Sequence, residues 1–398
     1  MKLSKSHITL APPTSCTGCA ACVSVCPRRC ITMREDHEGF LQPHIDTTLC
    51  IACHKCEHTC PILNPVTIPQ EPATRAYAAI NQDNGIRMQS SSGGVFYALA
   101  KWTIEQGGVV FGARFDDNWE VMHDYTETLD GIKPFMRSKY VQSRIGDTFI
   151  QAKQFLEQGR WVLYSGTPCQ LGGLKACLGK DYDKLITVDL ICHGVPSPAV
   201  WRKYLKEVRK NNNILGINFR DKTKGWKGFL YSITTAKGTL YENPLDNPYF
   251  RGFLIDVYLR RSCYNCAFKT LHRCTDFTIA DHWGVQHCCP DIDDDKGVSL
   301  MFVHTVKGQR ILKSLQHIFL LKEQPLPDSI TWNWTMVESV PLKKNRAEFF
   351  RIWHFLPFSK MSFFINKDDL ATRIKRKNRR IAIKLKNRLK ALGKSHIQ

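Results

Sequence analysis

Residues 16–27 read Cys-Thr-Gly-Cys-Ala-Ala-Cys-Val-Ser-Val-Cys-Pro, and residues 50–61 read Cys-Ile-Ala-Cys-His-Lys-Cys-Glu-His-Thr-Cys-Pro. The second run repeats the first at an offset of 34 residues. Zinc on Cys-x-x-Cys pairs does not account for three closely spaced thiols followed by Cys-Pro, twice in register. The spacing is that of a bacterial-type pair of [4Fe–4S] clusters, in which three thiolates of a run wrap one cubane and the fourth crosses to the other. Crossed ligation gives Cys16, Cys19, Cys22 and Cys60 to one cluster, and Cys50, Cys53, Cys56 and Cys26 to the second. Cys30 falls outside the pattern and reads as a small buried apolar residue.

Between the runs, Ile31-Thr32-Met33 and Phe40 to Ile45 flank charged residues and Gly39, as in a short hairpin. Pro61, Pro65, Pro69 and Pro72 then form an extended stretch that suits neither helix nor central strand. The chain therefore divides into a ferredoxin-type domain over 1–66, a proline-rich linker over 67–76, a larger domain over 77–340 and an extension over 341–398. In the larger domain, Gly94 to Gln106, Asp147 to Gln158, Cys169 to Leu178 and Pro198 to Lys210 have helical spacing. Gly108 to Gly112, Trp161 to Tyr164 and Leu185 to Ile191 read as short buried strands. This alternation predicts an α/β domain with a mainly parallel sheet and helices on its faces. Ile214 to Phe219, Leu230 to Thr235 and Thr239 to Tyr241 read as antiparallel additions. The whole is of α+β and α/β class.

At 398 residues, 43% hydrophobic and 23% charged, the chain is long enough for two or three folded units. Met1 to Pro13 has no apolar signal segment, and no apolar run approaches the ~20 residues of a membrane span. A cytoplasmic location is expected. In a reducing compartment, 17 cysteines point to metal or catalysis rather than disulfides. The net charge of +20 is concentrated in a tail, since residues 361–398 hold twelve Lys and Arg against Asp368 and Asp369. Ile374, Ile381, Leu385, Leu389 and Leu392 recur there at helical spacing. Such a basic amphipathic helix suits an anionic membrane surface, here the inner face, or an acidic partner, and equally a solvated helix packed on its own body. No recognition motif accompanies the charge, so a nucleic-acid partner is not expected.

Further segments carry candidate chemistry. Ser90-Ser91-Ser92-Gly93-Gly94 opens a helix, where backbone N–H groups can cradle a phosphate, or simply cap the helix. Ser165-Gly166-Thr167-Pro168-Cys169-Gln170 and Cys192-His193-Gly194-Val195-Pro196-Ser197 each follow a buried strand. In a parallel sheet the carboxyl ends of strands share one edge, which would bring Cys169 and Cys192 together. Cys263-x-x-Cys266 and Ala280-Asp281-His282-Trp283-Gly284 come later. These four thiols are enough for a third [4Fe–4S] cluster. Inert buried Cys169 and Cys192, with a structural zinc site from Cys263, Cys266, Cys274 and Cys288 or Cys289, explain the spacing as well.

In that order the paired ferredoxin runs, SSSGGVF, KYVQS, SGTPCQ, ICHGVPSP, CYNC and IADHWG resemble the beta subunits of coenzyme F420-reducing hydrogenases and dehydrogenases. The likeness is to the bacterial branch with an N-terminal two-cluster domain, and covers about residues 14 to 310. It implies that the larger domain binds a flavin, usually FAD. Near that flavin it places Ser91, Ser92, Gly93 and Gly94, then Lys139, Tyr140 and Gln142, then Ser165, Gly166, Thr167 and Gln170. It further implies a third [4Fe–4S] cluster close to the flavin, with Cys169, Cys192, Cys263 and Cys266 as candidate ligands. Cys274 stands where the family pattern has a different residue.

The expected activity is that of an iron–sulfur flavoprotein oxidoreductase. Its partners would be a ferredoxin or redox enzyme subunit and a small organic acceptor, F420-like in the family. His193 and Asp281 are candidates for orienting or protonating that acceptor, although packing or capping explains each equally. The reading from another class is a non-catalytic electron-transfer adaptor feeding a separate catalytic partner.

Overall fold

The computed structural model describes residues 8–66, 73–209, 213–361 and 364–365. The basic tail from residue 366 onward therefore lies outside the described residues, as does most of the proline-rich stretch. Thirteen strands are described, in three sheets. In chain order they are β1 Ile31–Glu35, β2 Leu41–Ile45, β3 Arg75–Asn81, β4 Val109–Phe115, β5 Val121–Thr126, β6 Val162–Ser165 and β7 Leu185–Leu190. There follow β8 Ile214–Asp221, β9 Leu230–Thr235, β10 Gly238–Glu242, β11 Phe277–Asp281, β12 Ser299–Val303 and β13 Phe319–Gln324.

The large sheet has eight strands in the order β13-β3-β12-β11-β7-β6-β4-β5. At its centre β11, β7, β6 and β4 run parallel, and antiparallel strands flank that block on both sides. Successive side chains of a strand face opposite ways, and the packing follows that rule. Val110, Leu163 and Ile186 join one core beneath the helix Val95–Glu105. Val109, Phe111, Val162, Tyr164 and Leu185 join the other, under the helices Thr148–Glu157 and Pro168–Leu178. The sheet is thus covered on both faces, as an α/β arrangement requires.

β1 and β2 form the hairpin of the ferredoxin unit, with Ile31 opposite Ile45. β8, β9 and β10 form a separate antiparallel sheet. It packs with the helix Pro198–Arg209 into an aromatic core that includes Trp201, Phe219, Tyr249 and Phe250. Phe40 of the ferredoxin hairpin belongs to this same core, and so do Phe349, Phe350 and Trp353 from the C-terminal segment. Arg346 pairs with Glu38, and the Trp353 indole donates to the His37 carbonyl at 3.0 Å. The segment after Pro341 thereby clasps the ferredoxin hairpin to the body.

Candidate iron–sulfur and flavin centres

The ferredoxin unit encloses two cavities, and the crossed pairing of its cysteines is visible in their walls. Cys16, Cys19, Cys22 and Cys60 line one of about 380 Å³. Cys26, Cys50, Cys53 and Cys56 line the other, of about 330 Å³. Ala20, Ala52 and His54 adopt positive φ in the turns between the thiols. Burial pushes the Cys19 thiol up to about 11. Ligation must therefore displace protons. Cys30 is buried as expected, yet it also lines the second cavity, with its sulfur 3.4 Å from that of Cys26.

Cys169, Cys192, Cys263 and Cys266 line a third cavity, of about 460 Å³. Their convergence has a simple structural origin. Cys169 opens the helix that follows β6, and Cys192 follows β7, the parallel neighbour of β6. Pro168 starts that helix, and the Thr167 N–H donates to Gln170 Oε1 at 2.9 Å, fixing the first turn. The Cys263 arm is tied down by the Arg260 N–H donating to the Val195 carbonyl and the Ser197 N–H to that of Tyr258. Among the described residues, no three His, Cys, Asp or Glu side chains converge closely enough to hold a single metal ion. Cys274, Cys288 and Cys289 do not line this cavity; Cys289 packs with Val285 and Ile292 and accepts from Gln324.

The wall of the third cavity is cationic, with Arg260, Lys269 and Arg273 all on it. Lys269 donates to the carbonyls of Cys192 and Thr335, and burial pulls its ammonium below the usual lysine range. Burial pushes Cys263 up to about 12, and raises Cys169 well above its ordinary value with the neighbouring thiols adding to it. An anionic, thiolate-ligated cluster matches both the cations and the donor set. The residues fit such a group.

One helix joins this cavity to the ferredoxin unit. Four residues after Cys169 comes Gly173, where an added Cβ would lie 3.0 Å from both Cβ and Sγ of Cys19. Cys177, one turn further, donates to the Ala21 carbonyl at 3.4 Å. A turn of helix rises about 5.4 Å, so Cys169 at the third cavity and Gly173 against Cys19 of the first sit one turn apart on the same helical face. Thr17 lines both.

The segments Ser91–Gly94, Lys139–Ser143 and Ser165–Gln170 form one continuous band. The Ser138 N–H donates to Ser91 Oγ at 2.8 Å, and Gln170 Nε2 donates to Ser143 Oγ at 2.9 Å. Gly94 has φ +88° and starts the helix Val95–Glu105, whose first N–H groups lack intrahelical partners. The loop is braced from behind. Ser92 Oγ donates to the Val298 carbonyl, the Gly93 N–H to Ser299 Oγ, and Lys222 Nζ to the carbonyls of Arg87, Ser92 and Lys296. Burial, with Arg87, Arg220 and Arg137 nearby, depresses Lys222 to about 7. Burial and Arg137 do the same to Lys139, whose ammonium bonds the carbonyls of Pro134 and Met136. Two lysines pulled down mainly by burial, with Arg137 close to both, supply positive charge that fits a phosphate-bearing cofactor such as FAD.

The other sequence-derived residues are placed as follows. Tyr140 packs among Phe219, Phe250 and Phe253. Gln142 turns toward the ferredoxin unit, donating to the Thr17 carbonyl at 3.0 Å and accepting from Arg260 at 3.1 Å. Ser165 Oγ donates to the Phe111 carbonyl, and the Gly166 N–H to that of Val188. His193 lines the third cavity and lies 2.6 Å from the Asp256 carboxylate. Asp281 is held by Arg220 at 3.0 Å and by the Trp226 indole at 2.8 Å. Sequence reasoning missed Asp256, a non-glycine residue at φ +65°. It also missed the lining cations Arg260, Lys269 and Arg273, which carry no motif.

Comparison with known proteins gives two family matches. Residues 15–63 match the 4Fe-4S dicluster domain, and residues 159–329 match the C terminus of the coenzyme F420 hydrogenase/dehydrogenase beta subunits. Residues 159–329 belong to this family of beta subunits, behind a 4Fe-4S dicluster domain. The F component of the F(420)H(2) dehydrogenase of Methanosarcina mazei is 22% identical over 328 residues, covering 78% of this chain and 85% of the relative. The 7Fe ferredoxin of Hydrogenibacillus schlegelii is 38% identical over 77 residues, or 19% of this chain and 90% of the ferredoxin. A chain of the F420-reducing [NiFe] hydrogenase complex from Methanosarcina barkeri is similar at TM-score 0.44 and 16% identity, covering 68% of this chain and 93% of that one. With these two matches, the chain is an iron–sulfur electron-transfer protein of oxidoreductase type. No helix among the described residues is long and apolar enough to cross a membrane.

Proposed function

We propose that the chain is an iron–sulfur flavoprotein that passes electrons between its ferredoxin-type clusters and FAD, by way of a third [4Fe–4S] cluster, and exchanges hydride or two electrons with an organic acceptor. The observation that carries this reading is the set of four cysteines around one cationic cavity, whose Cys169 lies one helical turn from Gly173 and its contact with Cys19 of the first ferredoxin cavity. When bound, the clusters would carry single electrons, and the flavin would join that regime to two-electron chemistry.

The protein's own residues divide the work. Cys16, Cys19, Cys22 and Cys60 hold the first cluster, Cys26, Cys50, Cys53 and Cys56 the second, and Cys169, Cys192, Cys263 and Cys266 the third. The Ser91–Gly94 turn presents helix N–H groups to the flavin phosphates, with Arg137 and Lys222 supplying positive charge. His193, oriented by Asp256, is the group assigned to orient or protonate the acceptor. Asp281 acts on the acceptor only through Arg220 and Trp226, which already occupy it. The acceptor is deazaflavin-like, by analogy with the name of the Methanosarcina relative. A ferredoxin or a redox enzyme subunit exchanges electrons at the N-terminal unit. The basic tail would add a contact with an anionic membrane surface, lost from vesicle-binding assays on truncation after Asp369.

Anaerobically purified chain should contain non-covalent FAD, and reduced ferredoxin or viologen should drive reduction of an added deazaflavin. Gly94→Val should lower flavin occupancy and leave the iron of the ferredoxin unit in place, because a side chain at φ +88° strains the turn and meets Asn81 at 3.0 Å. A protein that oxidises the donor yet reduces no organic acceptor would establish the adaptor reading instead. Flavin absent from wild type would overturn the flavoprotein assignment.

A further inference from the structure

Five arginines among the described residues are almost fully buried: Arg87, Arg220, Arg260, Arg273 and Arg346. Four of them face a carboxylate, from Asp294, Asp281, Asp189 and Glu38 respectively. Arg260, the most deeply buried at 1% exposure, does not. Its Nε donates to the Cys16 carbonyl at 2.7 Å, and its two terminal nitrogens donate to the Leu41 carbonyl at 2.9 Å and Gln142 Oε1 at 3.1 Å. One of those nitrogens also lies 3.8 Å from Cys16 Sγ. All the oxygen acceptors are neutral. A guanidinium keeps its charge in proteins, and an uncompensated buried charge costs several kcal/mol. Something anionic must complete this site.

Position indicates what that is. Arg260 lines the cavity of Cys169, Cys192, Cys263 and Cys266, and its side chain ends against Cys16 of the first ferredoxin cavity. Gly18 makes room for it, since a Cβ there would meet the guanidinium at 2.7 Å. A thiolate-ligated [4Fe–4S] cluster is anionic and gains a further negative charge on reduction.

We propose that Arg260 is the shared counter-charge of the first and third clusters, holding both reduction potentials up and close together so that an electron passes between them without a large step. The proposal rests on the three-cluster reading above and adds to it a residue that lines the third cavity, bonds Cys16 of the first, and ligates neither cluster. Arg260 neither lines the second cavity nor bonds any of its cysteines, so the second cluster serves as an internal control.

The test is an EPR-monitored redox titration of the full-length chain carrying Arg260→Gln, Arg260→Lys or Gln142→Glu. Arg260→Gln should keep about twelve iron atoms. It should make the first and third clusters harder to reduce by at least tenfold at fixed potential, about 59 mV for one electron, with the second cluster unmoved. Arg260→Lys restores the charge and should recover most of that shift. Gln142→Glu places a carboxylate beside an intact Arg260 and should move the same two potentials in the same direction, so the inference stays testable if Arg260→Gln loses iron. Unchanged potentials in a twelve-iron Arg260→Gln protein would overturn the shared counter-charge and leave the three-cluster reading standing. Equal shifts in the Gln and Lys variants would overturn it too, since charge would then be irrelevant. About eight iron atoms in wild type would overturn the three-cluster reading itself, and the inference with it.

Discussion

Lys222 shows how a single buried group can report on a ligand. Its ammonium bonds three carbonyls behind the Ser91–Gly94 turn, while burial and neighbouring arginines hold it near 7. In the unfolded chain the same lysine titrates near 10.4. Between these values the unfolded state binds more protons, so this group makes flavin-free protein more stable as pH rises from about 7 to about 10. Below about 7 both states are protonated and its contribution is flat. Thermal unfolding of flavin-free protein should follow this slope, and Lys222→Met should flatten it. The variant should also lose roughly 1–3 kcal/mol at neutral pH, because the buried carbonyls lose their donor. Bound phosphate groups favour the charged ammonium and should shrink the slope in the loaded protein. A Lys222→Met protein with the wild-type pH dependence would place the titration elsewhere.

At the scale of elements, the helix Pro168–Leu178 does most to connect the molecule. Its first turn carries Cys169, and Gly173 on the same face gives Cys19 room to approach. Gly173→Leu should push the ferredoxin unit off this helix at a cost of roughly 1–3 kcal/mol. Denaturant unfolding and iron analysis would check this, with the first cluster the one to suffer. Full iron and unchanged stability would mean that the close approach is dispensable. The helix itself was legible in the sequence, because Thr167-Pro168 is a strong start and its apolar residues recur regularly. The strands Val162–Ser165 and Leu185–Leu190 were legible too, being short and largely apolar. From them followed the meeting of Cys169 and Cys192 at one sheet edge. What Gly173 faces was not legible, since its neighbour lies more than 150 residues away and a helix-interior glycine has no periodic signature. Arg260 was hidden for the same reason, because its isolation from carboxylates is a property of tertiary packing.

For the molecule as a whole, the ferredoxin unit is pressed against the larger α/β body. The ferredoxin hairpin contributes Phe40 to the aromatic core of the body, and the Arg346–Glu38 pair and Trp353 fasten it from the C-terminal side. Sequence pattern alone separated these units at the prolines but was silent on how they dock, since docking surfaces are not periodic. Rigid docking matters for the proposed function, because the first and third clusters must stay close to each other. The measurement that tests this most directly compares wild type with the Cys263→Ser, Cys266→Ser double variant. Wild type should hold about twelve iron atoms and the variant about eight, with no zinc in either. In the variant, EPR signals of the ferredoxin clusters and flavin binding should persist, and direct chemical reduction of the flavin should be little changed. Reduction of the flavin by electrons entering at the ferredoxin unit should slow severely. One zinc per chain in wild type, lost in the variant while iron stays at about eight, would contradict the account, as would undiminished flavin reduction through the N-terminal clusters.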